Sequence, residues 1–236
     1  VVGVFLANEK PTGTRDPLGI RRATNGIIRI MLKTNYDINL TQLINKASKI
    51  IFSKSHDLKD NEDALLDCHK FFKEKLVSTF KEDYGYDENL ILSVINKNND
   101  INPYVMLRKI EAINAILANN DYKELFANAK RVANILKKSN VDLSSEIDEN
   151  LLRESSEKLL YNTINDIKGG LRSSLEENDY IEYLKKLNIL NIFITTFFEE
   201  VMINVDEEDI KLNRLSLLAL INNYYNNLAN IEILSP

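Results

Sequence analysis

The sequence predicts an all-α fold, a helical bundle of about nine helices. The first reason is composition, because the 236 residues include only seven glycines and four prolines, and 44% are hydrophobic. Such a composition suits helices joined by short connections. The second reason is periodicity: apolar residues recur at helical spacing along most of the chain, and no alternating segment of useful length predicts a strand.

The first predicted helix follows the irregular stretch "KPTGT", which we interpret as a turn that sets the direction of the chain. Asp16 is a favoured N-cap residue and Pro17 a favoured first-turn residue, so the helix is predicted to run from there to about Lys33. Its apolar face is predicted to comprise Ile20, Ala23, Ile27 and Met31, and its polar face Arg22, Asn25 and Arg29.

Glycines are predicted to mark the ends of two later helices. Gly85 is predicted to end the third helix, and the pair Gly169 and Gly170 is predicted to stop the seventh. Residues 139–146 are predicted to form a loop. The helices after the first are predicted over residues 40–54, 61–84, 86–98, 102–117, 120–138, 148–168, 178–203 and 206–229.

The composition also bounds the class of protein. The formal net charge is −5, which argues weakly against nucleic-acid binding, although the clustering of cations matters more than the total. No run of about 18 apolar residues predicts a transmembrane helix, and no signal peptide is expected. The chain begins with Val, so we expect a fragment of a longer protein. One cysteine, Cys68, cannot form an internal disulfide, which fits a reducing cytoplasm.

The helix predicted over residues 120–138 carries a stripe of cations. Residues 121–138 hold five cations and two acids, a local charge of +3 in an acidic chain. Cations with an amide among them can follow a phosphate backbone and touch a base. A solvated helix surface is an equal alternative from the pattern alone. The candidate binding residues are Lys123, Lys130, Arg131, Asn134, Lys137 and Lys138.

Four arginines outside this stripe are also candidates for a role. Arg22 and Arg29 lie two turns apart on a polar face and could grip phosphates or acidic partners, with salt bridges to neighbouring helices as the alternative. We expect Arg21 to have a structural role. Arg214 falls within the apolar stripe of the last helix, so we expect a structural pairing with an acid such as Glu199 or Glu200.

Residues for catalysis or metal binding are sparse. The candidate soft ligands are His56, Cys68 and His69, and the last two are adjacent, so on a helix they point about 100° apart. We therefore predict no metal site, no catalytic residue and no cofactor in this chain. Tyr224 and Tyr225 could stack on bases, but their helical spacing favours core packing for at least one of them.

Three segments carry a resemblance to a known family: "KPTGTRDPLGIRRATNGIIRI", "ANAKRVANIL" and "FFEEVMINVDEEDIKLNRLSLLALINNYYNNLANIEIL". In this order and spacing they resemble the C-terminal region of the bacterial glycyl-tRNA synthetase beta subunit. Departures from the family pattern are small. Ile20 stands where the family has leucine, and Asn230-Ile231-Glu232 replaces the usual Asp-Ile-Ser.

The resemblance implies a tRNA-binding role within a larger enzyme. It implies a heterotetramer of two alpha and two beta subunits, in which the alpha subunit joins glycine to tRNA with ATP and magnesium. It also implies that residues 1–35 are the end of an HD-like domain. Residues 36–236 would then form a helical anticodon-binding domain of the DALR type, located in the cytoplasm and binding glycine tRNA.

Two rival functions remain open at this point. The chain could be a helical interaction module that docks the alpha subunit or the rest of the beta subunit without touching RNA. A remnant HD phosphohydrolase is the other rival, and it is disfavoured because the chain lacks the His and Asp cluster that such an enzyme needs.

Overall fold

A computed structural model of the chain describes residues 1–54, 62–97, 100–139 and 146–234. Within these ranges it contains ten α-helices and no named strand, so the all-α prediction is confirmed. The helix that the sequence did not predict is the short first one. The α-helices are α1 (Val2–Leu6), α2 (Ile20–Thr34), α3 (Leu40–Lys54), α4 (Glu62–Glu82), α5 (Glu88–Ile95), α6 (Pro103–Leu117), α7 (Lys123–Ser139), α8 (Ser155–Glu176), α9 (Tyr180–Glu200) and α10 (Glu208–Leu228).

The chain divides into two compact units, unit 1 over Val1–Ile110 and unit 2 over Glu111–Pro236. The predicted domain end at residue 35 does not coincide with this division. The reason is packing, since α1 lies against α3 and α4, and α2 lies against α4. Residues 1–35 thus share a core with the helices that follow them. Most of the predicted loop 139–146 lies outside the described residues.

The start of α2 differs from the prediction. The helix begins at Ile20, after Gly19 with φ +64°, rather than at Pro17. Asp16 still caps it, because its carboxylate accepts hydrogen bonds from the N–H groups of Ile20 at 2.8 Å and Arg21 at 3.1 Å. The buried face is also rotated from the predicted one, with Ala23 exposed and the core positions at Ile20, Thr24, Ile28, Met31 and Leu32.

The core of unit 1 is built along α4. Side chains one turn apart on a single face of α4 are almost fully buried, as expected for an amphipathic helix. The ring of Phe5 in α1 lies 5.3 Å from that of Phe71. Gly85, with φ +73°, follows the end of α4 and fits the predicted helix stop. The buried α4 positions include Cys68, Phe72, Leu76 and Phe80.

Helix α8 contradicts two predicted boundaries. It begins at Ser155 rather than near residue 148, with a capping box between Glu154 and Glu157. It also continues through Gly169 and Gly170 instead of stopping there. A Cβ at Gly170 would lie 2.6 Å from Cε of Lys186 in α9, so this glycine allows a close approach of the two helices.

Unit 2 is a bundle of α7, α8, α9 and α10. Helices α8 and α9 form a hairpin with a short turn in which Asn178 has φ +55°. Helix α7 lies against α9, α10 and the C-terminal 3₁₀ helix Ile231–Leu234. The core side chains without exposed surface include Leu125, Ile164, Leu187, Ile194, Leu217, Ile221 and Leu228.

Arg214 forms a buried ion pair in this bundle, but its partner is neither Glu199 nor Glu200. Its Nε donates to Oε1 of Glu157 at 2.7 Å, and its Nη1 donates to the carbonyl of Met202 at 2.8 Å. The side chains of Arg214 and Glu157 are 6% and 0% exposed. The sequence prediction failed because Glu157 lies 57 residues away on α8, not on the helix that precedes α10.

We expect Gly169→Ala to stabilise unit 2 by about 0.5–1 kcal/mol, because glycine in a helix interior costs this much relative to alanine. Nothing lies within 4 Å of the new Cβ. The matched variant Gly170→Ala should gain less, since Lys186 must move. Urea unfolding followed by circular dichroism measures both. A loss of stability in Gly169→Ala would mean that the glycines end the helix.

We expect Arg214→Met to lower the free energy of unfolding of unit 2 by about 3–5 kcal/mol, because it leaves the Glu157 carboxylate buried without its counter-charge. The control is Arg172→Met, which removes an exposed pair with Glu176 and should change stability little. Equal unfolding midpoints for the two variants would contradict a stabilising role for the buried pair.

Candidate nucleic-acid interface

Helix α7 is amphipathic in the structure as the sequence predicts. Leu125 and Val132 are 0% exposed and face the core of unit 2. A buried amide fixes the helix further: Nδ2 of Asn128 donates to the backbone carbonyl of Asn191 and to Oγ1 of Thr195, both at 3.3 Å. These contacts join α7 to the middle of α9. They therefore help to determine which face of α7 points to solvent.

The solvent-facing side of α7 carries all six predicted binding residues, and each is exposed. We call this set the α7 ridge. Its first and last members are fifteen positions apart, which corresponds to about 22 Å along a helix axis. The structure therefore brings the six residues together on one surface. The α7 ridge comprises Lys123, Lys130, Arg131, Asn134, Lys137 and Lys138.

One member of the α7 ridge is engaged by an acid. Nζ of Lys137 donates to Oε1 of Glu232 at 2.9 Å, which links α7 to the C-terminal 3₁₀ helix. In the described part of the chain, Lys123, Lys130 and Lys138 have no carboxylate within salt-bridge distance. Three of the four lysines thus present charge that no described acid neutralises.

Arg131 is held by an aromatic ring rather than by an acid. Its guanidinium carbon lies 4.0 Å from the centroid of the Phe198 ring in α9, a cation–π contact. Phe198 is 9% exposed and meets the Phe197 ring at an edge, with 5.7 Å between centroids. Sequence reasoning did not identify Phe198 as part of the site, because 67 residues separate it from Arg131.

A shallow groove runs along the α7 ridge. Ala127, the residue with the smallest side chain in its lining, is exposed. The groove is lined by Ala127, Lys130, Arg131, Asn134, Ile135 and Lys138. It therefore combines cations, an amide and apolar surface, which are the groups that contact phosphates and bases in nucleic-acid complexes.

Two of the three arginines of α2 have partners within unit 1. Arg29 forms a two-bond ion pair with Asp83, at 2.7 and 2.9 Å, and this pair raises the pKa of Arg29 and lowers that of Asp83. Nη2 of Arg21 donates to the carbonyl of Gly13 at 2.6 Å, which ties α2 to the preceding turn. Arg22 is exposed and its guanidinium lies beside Gly19.

Two of the three metal-ligand candidates, Cys68 and His69, lie in the part of the chain that the structure describes. Among the described residues, no group of three or more His, Cys, Asp or Glu side chains could hold a metal ion. His56 lies outside the described residues. Cys68 is 0% exposed, and burial raises the pKa of its thiol to about 11. Burial also lowers the pKa of His69.

The two adjacent tyrosines of α10 have different environments. Tyr225 is 2% exposed and belongs to the core, as expected for one member of the pair. Tyr224 is partly exposed and lines a groove between α8 and α10 together with Tyr161, Asn165 and Lys168. This groove is separate from the α7 ridge, since none of its lining residues belongs to α7.

Comparison with known proteins assigns unit 2 to a class. A family model described as "DALR anticodon binding domain" matches residues 125–233, from within α7 to the C-terminal 3₁₀ helix. Unit 2 therefore carries a DALR-type domain, and the α7 ridge lies at its start. A second family model, described as "Glycyl-tRNA synthetase beta subunit", matches residues 1–96.

Curated relatives match the chain from end to end. Proteins named glycine--tRNA ligase beta subunit are 31% identical in Nitrosomonas eutropha, over 100% of this chain and 34% of the relative, and 33% identical in Shewanella sediminis, over 99% and 33%. The protein of the same name in Thermodesulfovibrio yellowstonii is 31% identical, over 97% and 32%. The chain thus belongs to the glycyl-tRNA synthetase beta subunit family and spans about a third of the length of these relatives.

Over the described ranges, no helix combines the length and the apolar composition that a membrane crossing requires.

We expect Cys68 to react very slowly with a thiol reagent in the folded chain. The thiolate is the reactive form, and a pKa of about 11 leaves only about one thiol in a thousand ionised at pH 8. Labelling by Ellman's reagent at pH 8 measures the rate, and the urea-unfolded chain is the control because its thiol regains an ordinary pKa. Similar rates in the folded and unfolded states would contradict the burial of this thiol.

Proposed function

We propose that this chain is the tRNA-binding part of the beta subunit of glycine--tRNA ligase and that the α7 ridge contacts the anticodon arm of glycine tRNA. The observation that carries the proposal is the exposed, largely unneutralised row of cations on α7 in a chain of net charge −5. The names of the relatives and the match to an anticodon-binding domain support it.

The binding mechanism follows from the chemistry of the α7 ridge. Lysine side chains bind phosphates as point charges and release condensed counterions, which supplies affinity without reading sequence. The chain as a whole has a net charge of −5, so RNA would be attracted to the α7 ridge more than to the acidic parts of the surface. A-form duplexes hide their base edges in a deep, narrow groove, so a sequence-reading contact requires an unpaired loop.

The remaining features of the proposal concern the whole enzyme. The alpha subunit would join glycine to tRNA using ATP and magnesium, within a heterotetramer of two alpha and two beta subunits in the cytoplasm. In this proposal, the contribution of the present chain is the binding of tRNA. The anticodon-binding region would be unit 2, which contains the DALR match at residues 125–233.

A docking module without RNA contact is the rival function, and exposed apolar side chains on α9 favour it. Ile189 is 50% exposed and Ile192 is 67% exposed, so α9 offers apolar surface for another protein. Binding measurements with the 236-residue chain separate the two functions, because the rival requires no affinity for tRNA.

We expect the double variant Lys130→Ala, Lys138→Ala to bind glycine tRNA more weakly than the unchanged chain. The slope of log affinity against log salt should become shallower by roughly 1.4 to 1.8, because each lost phosphate contact removes about 0.7 to 0.9. Fluorescence anisotropy between 50 and 200 mM salt, concentrations at which such slopes are resolved, measures both quantities.

The matched control is Lys158→Ala, Lys185→Ala, which removes the same charge from exposed positions on α8 and α9. It should leave the slope nearly unchanged. If both double variants gave the same affinity and slope, the α7 ridge would not be the binding surface. If the unchanged chain bound no tRNA at any salt concentration, the docking module would replace the proposal.

A further inference from the structure

Arg131 differs from the other cations of the α7 ridge because its position is fixed. The guanidinium lies 4.0 Å from the centroid of the Phe198 ring. A planar guanidinium stacks on an aromatic face, whereas a lysine ammonium is a compact, mobile charge on a flexible stem. Phe198 is itself almost fully buried and packs against the edge of the Phe197 ring, which restricts its motion. The guanidinium plane therefore has a rigid support on one side.

The other side of the guanidinium is available to a ligand. The Arg131 side chain is exposed, and no carboxylate in the described ranges lies within salt-bridge distance of it. A bidentate carboxylate can also fix an arginine, as Asp83 fixes Arg29, but it then occupies the donors of the guanidinium. Arg131 is oriented by a ring instead, so its donors remain unused while its plane is already in place.

The neighbours of Arg131 complete a small platform. Asn134 lies three positions along α7 and Ala127 four positions back, so both share the exposed face with Arg131. Ala127 leaves space for a flat group beside the guanidinium. The Asn134 carboxamide offers both a donor and an acceptor at the border of that space. The Asn134 side chain makes no hydrogen bond with another described residue.

We propose that Arg131, supported by Phe198, is a stacking platform for one unpaired nucleobase of RNA, with Asn134 hydrogen-bonded to the edge of that base. Lys130 and Lys138 bind the phosphates on either side. The inference rests on the proposed function and adds to it the mode of recognition. Unpaired bases are commonly stacked on aromatic rings or on arginine guanidinium planes, whereas a base inside a duplex offers no free face.

The test combines protein variants with modified RNA. The probe is an RNA hairpin with the anticodon-arm sequence of glycine tRNA, together with a series in which each loop nucleotide in turn lacks its base. The variant Arg131→Lys keeps the charge and removes the plane. The variant Phe198→Leu keeps an apolar side chain and removes the supporting ring. Affinity is measured by fluorescence anisotropy at fixed salt, with thermal unfolding as the check of folding.

We expect Arg131→Lys and Phe198→Leu each to weaken binding of the intact hairpin roughly 5- to 150-fold, the range for one stacked base. With the unchanged chain, one abasic hairpin should bind more weakly than the intact hairpin by a similar factor. Arg131→Lys should reduce the affinity for that abasic hairpin only slightly further, because the missing base and the missing guanidinium belong to the same contact. The salt slope should stay nearly constant, since no charge is lost. The control Lys158→Arg, at an exposed position on α8 outside the α7 ridge, should bind all hairpins as the unchanged chain does.

The inference would be overturned by either of two results. One is unchanged affinity in Arg131→Lys. The other is an equal loss with every abasic hairpin, which would indicate a contact to phosphate alone. In both cases the proposed function still stands if Lys130→Ala, Lys138→Ala weakens binding and flattens the salt slope. Absence of binding by the unchanged chain would overturn both.

Discussion

The ion pair between Glu157 and Arg214 is the interaction on which the arrangement of unit 2 depends. Removing two charges from water is costly, and the pair is tolerable because its remaining polar atoms also have partners. Glu157 accepts hydrogen bonds from the N–H groups of Arg153 and Glu154, and Arg214 donates to the carbonyl of Met202. One network thus fixes the start of α8, the middle of α10 and the turn after α9. Since α7 lies on α9 and α10, the direction of its exposed face depends on that network.

The fold was predictable from sequence to the extent that local signals decided it. Helix α3 has the predicted bounds, and Gly85 lies in the left-handed region after α4 as its position suggested. The failures arise where tertiary contacts outweigh local preference. Gly169 and Gly170 resemble a helix stop in sequence, but α8 continues through them because it packs along α9. Asp16 was identified as a cap, yet the helix begins only after Gly19 turns the chain.

Of the candidate site, only the exposed residues of α7 could be predicted from the sequence. Periodicity sufficed to place Lys130, Arg131 and Asn134 on the polar face of α7, since that face is a property of one helix. The contribution of Phe198 from α9 could not be predicted, because no pattern in a single sequence shows that residue 198 contacts residue 131. The partner of Arg214, Glu157, could not be predicted for the same reason. Local charge was also more informative than the total of −5, which is spread over the whole chain.

The contact between Lys137 and Glu232 has a consequence for how long RNA would remain bound. Glu232 is covalently part of the chain, so it acts as a counterion that cannot diffuse away. A phosphate that approaches Lys137 must compete with this carboxylate, and it gains little from releasing free ions at that position. When the phosphate withdraws, the tethered carboxylate would re-form its contact with Lys137. In the proposed complex, this position would therefore hold RNA less persistently than the lysines that have no described acid partner.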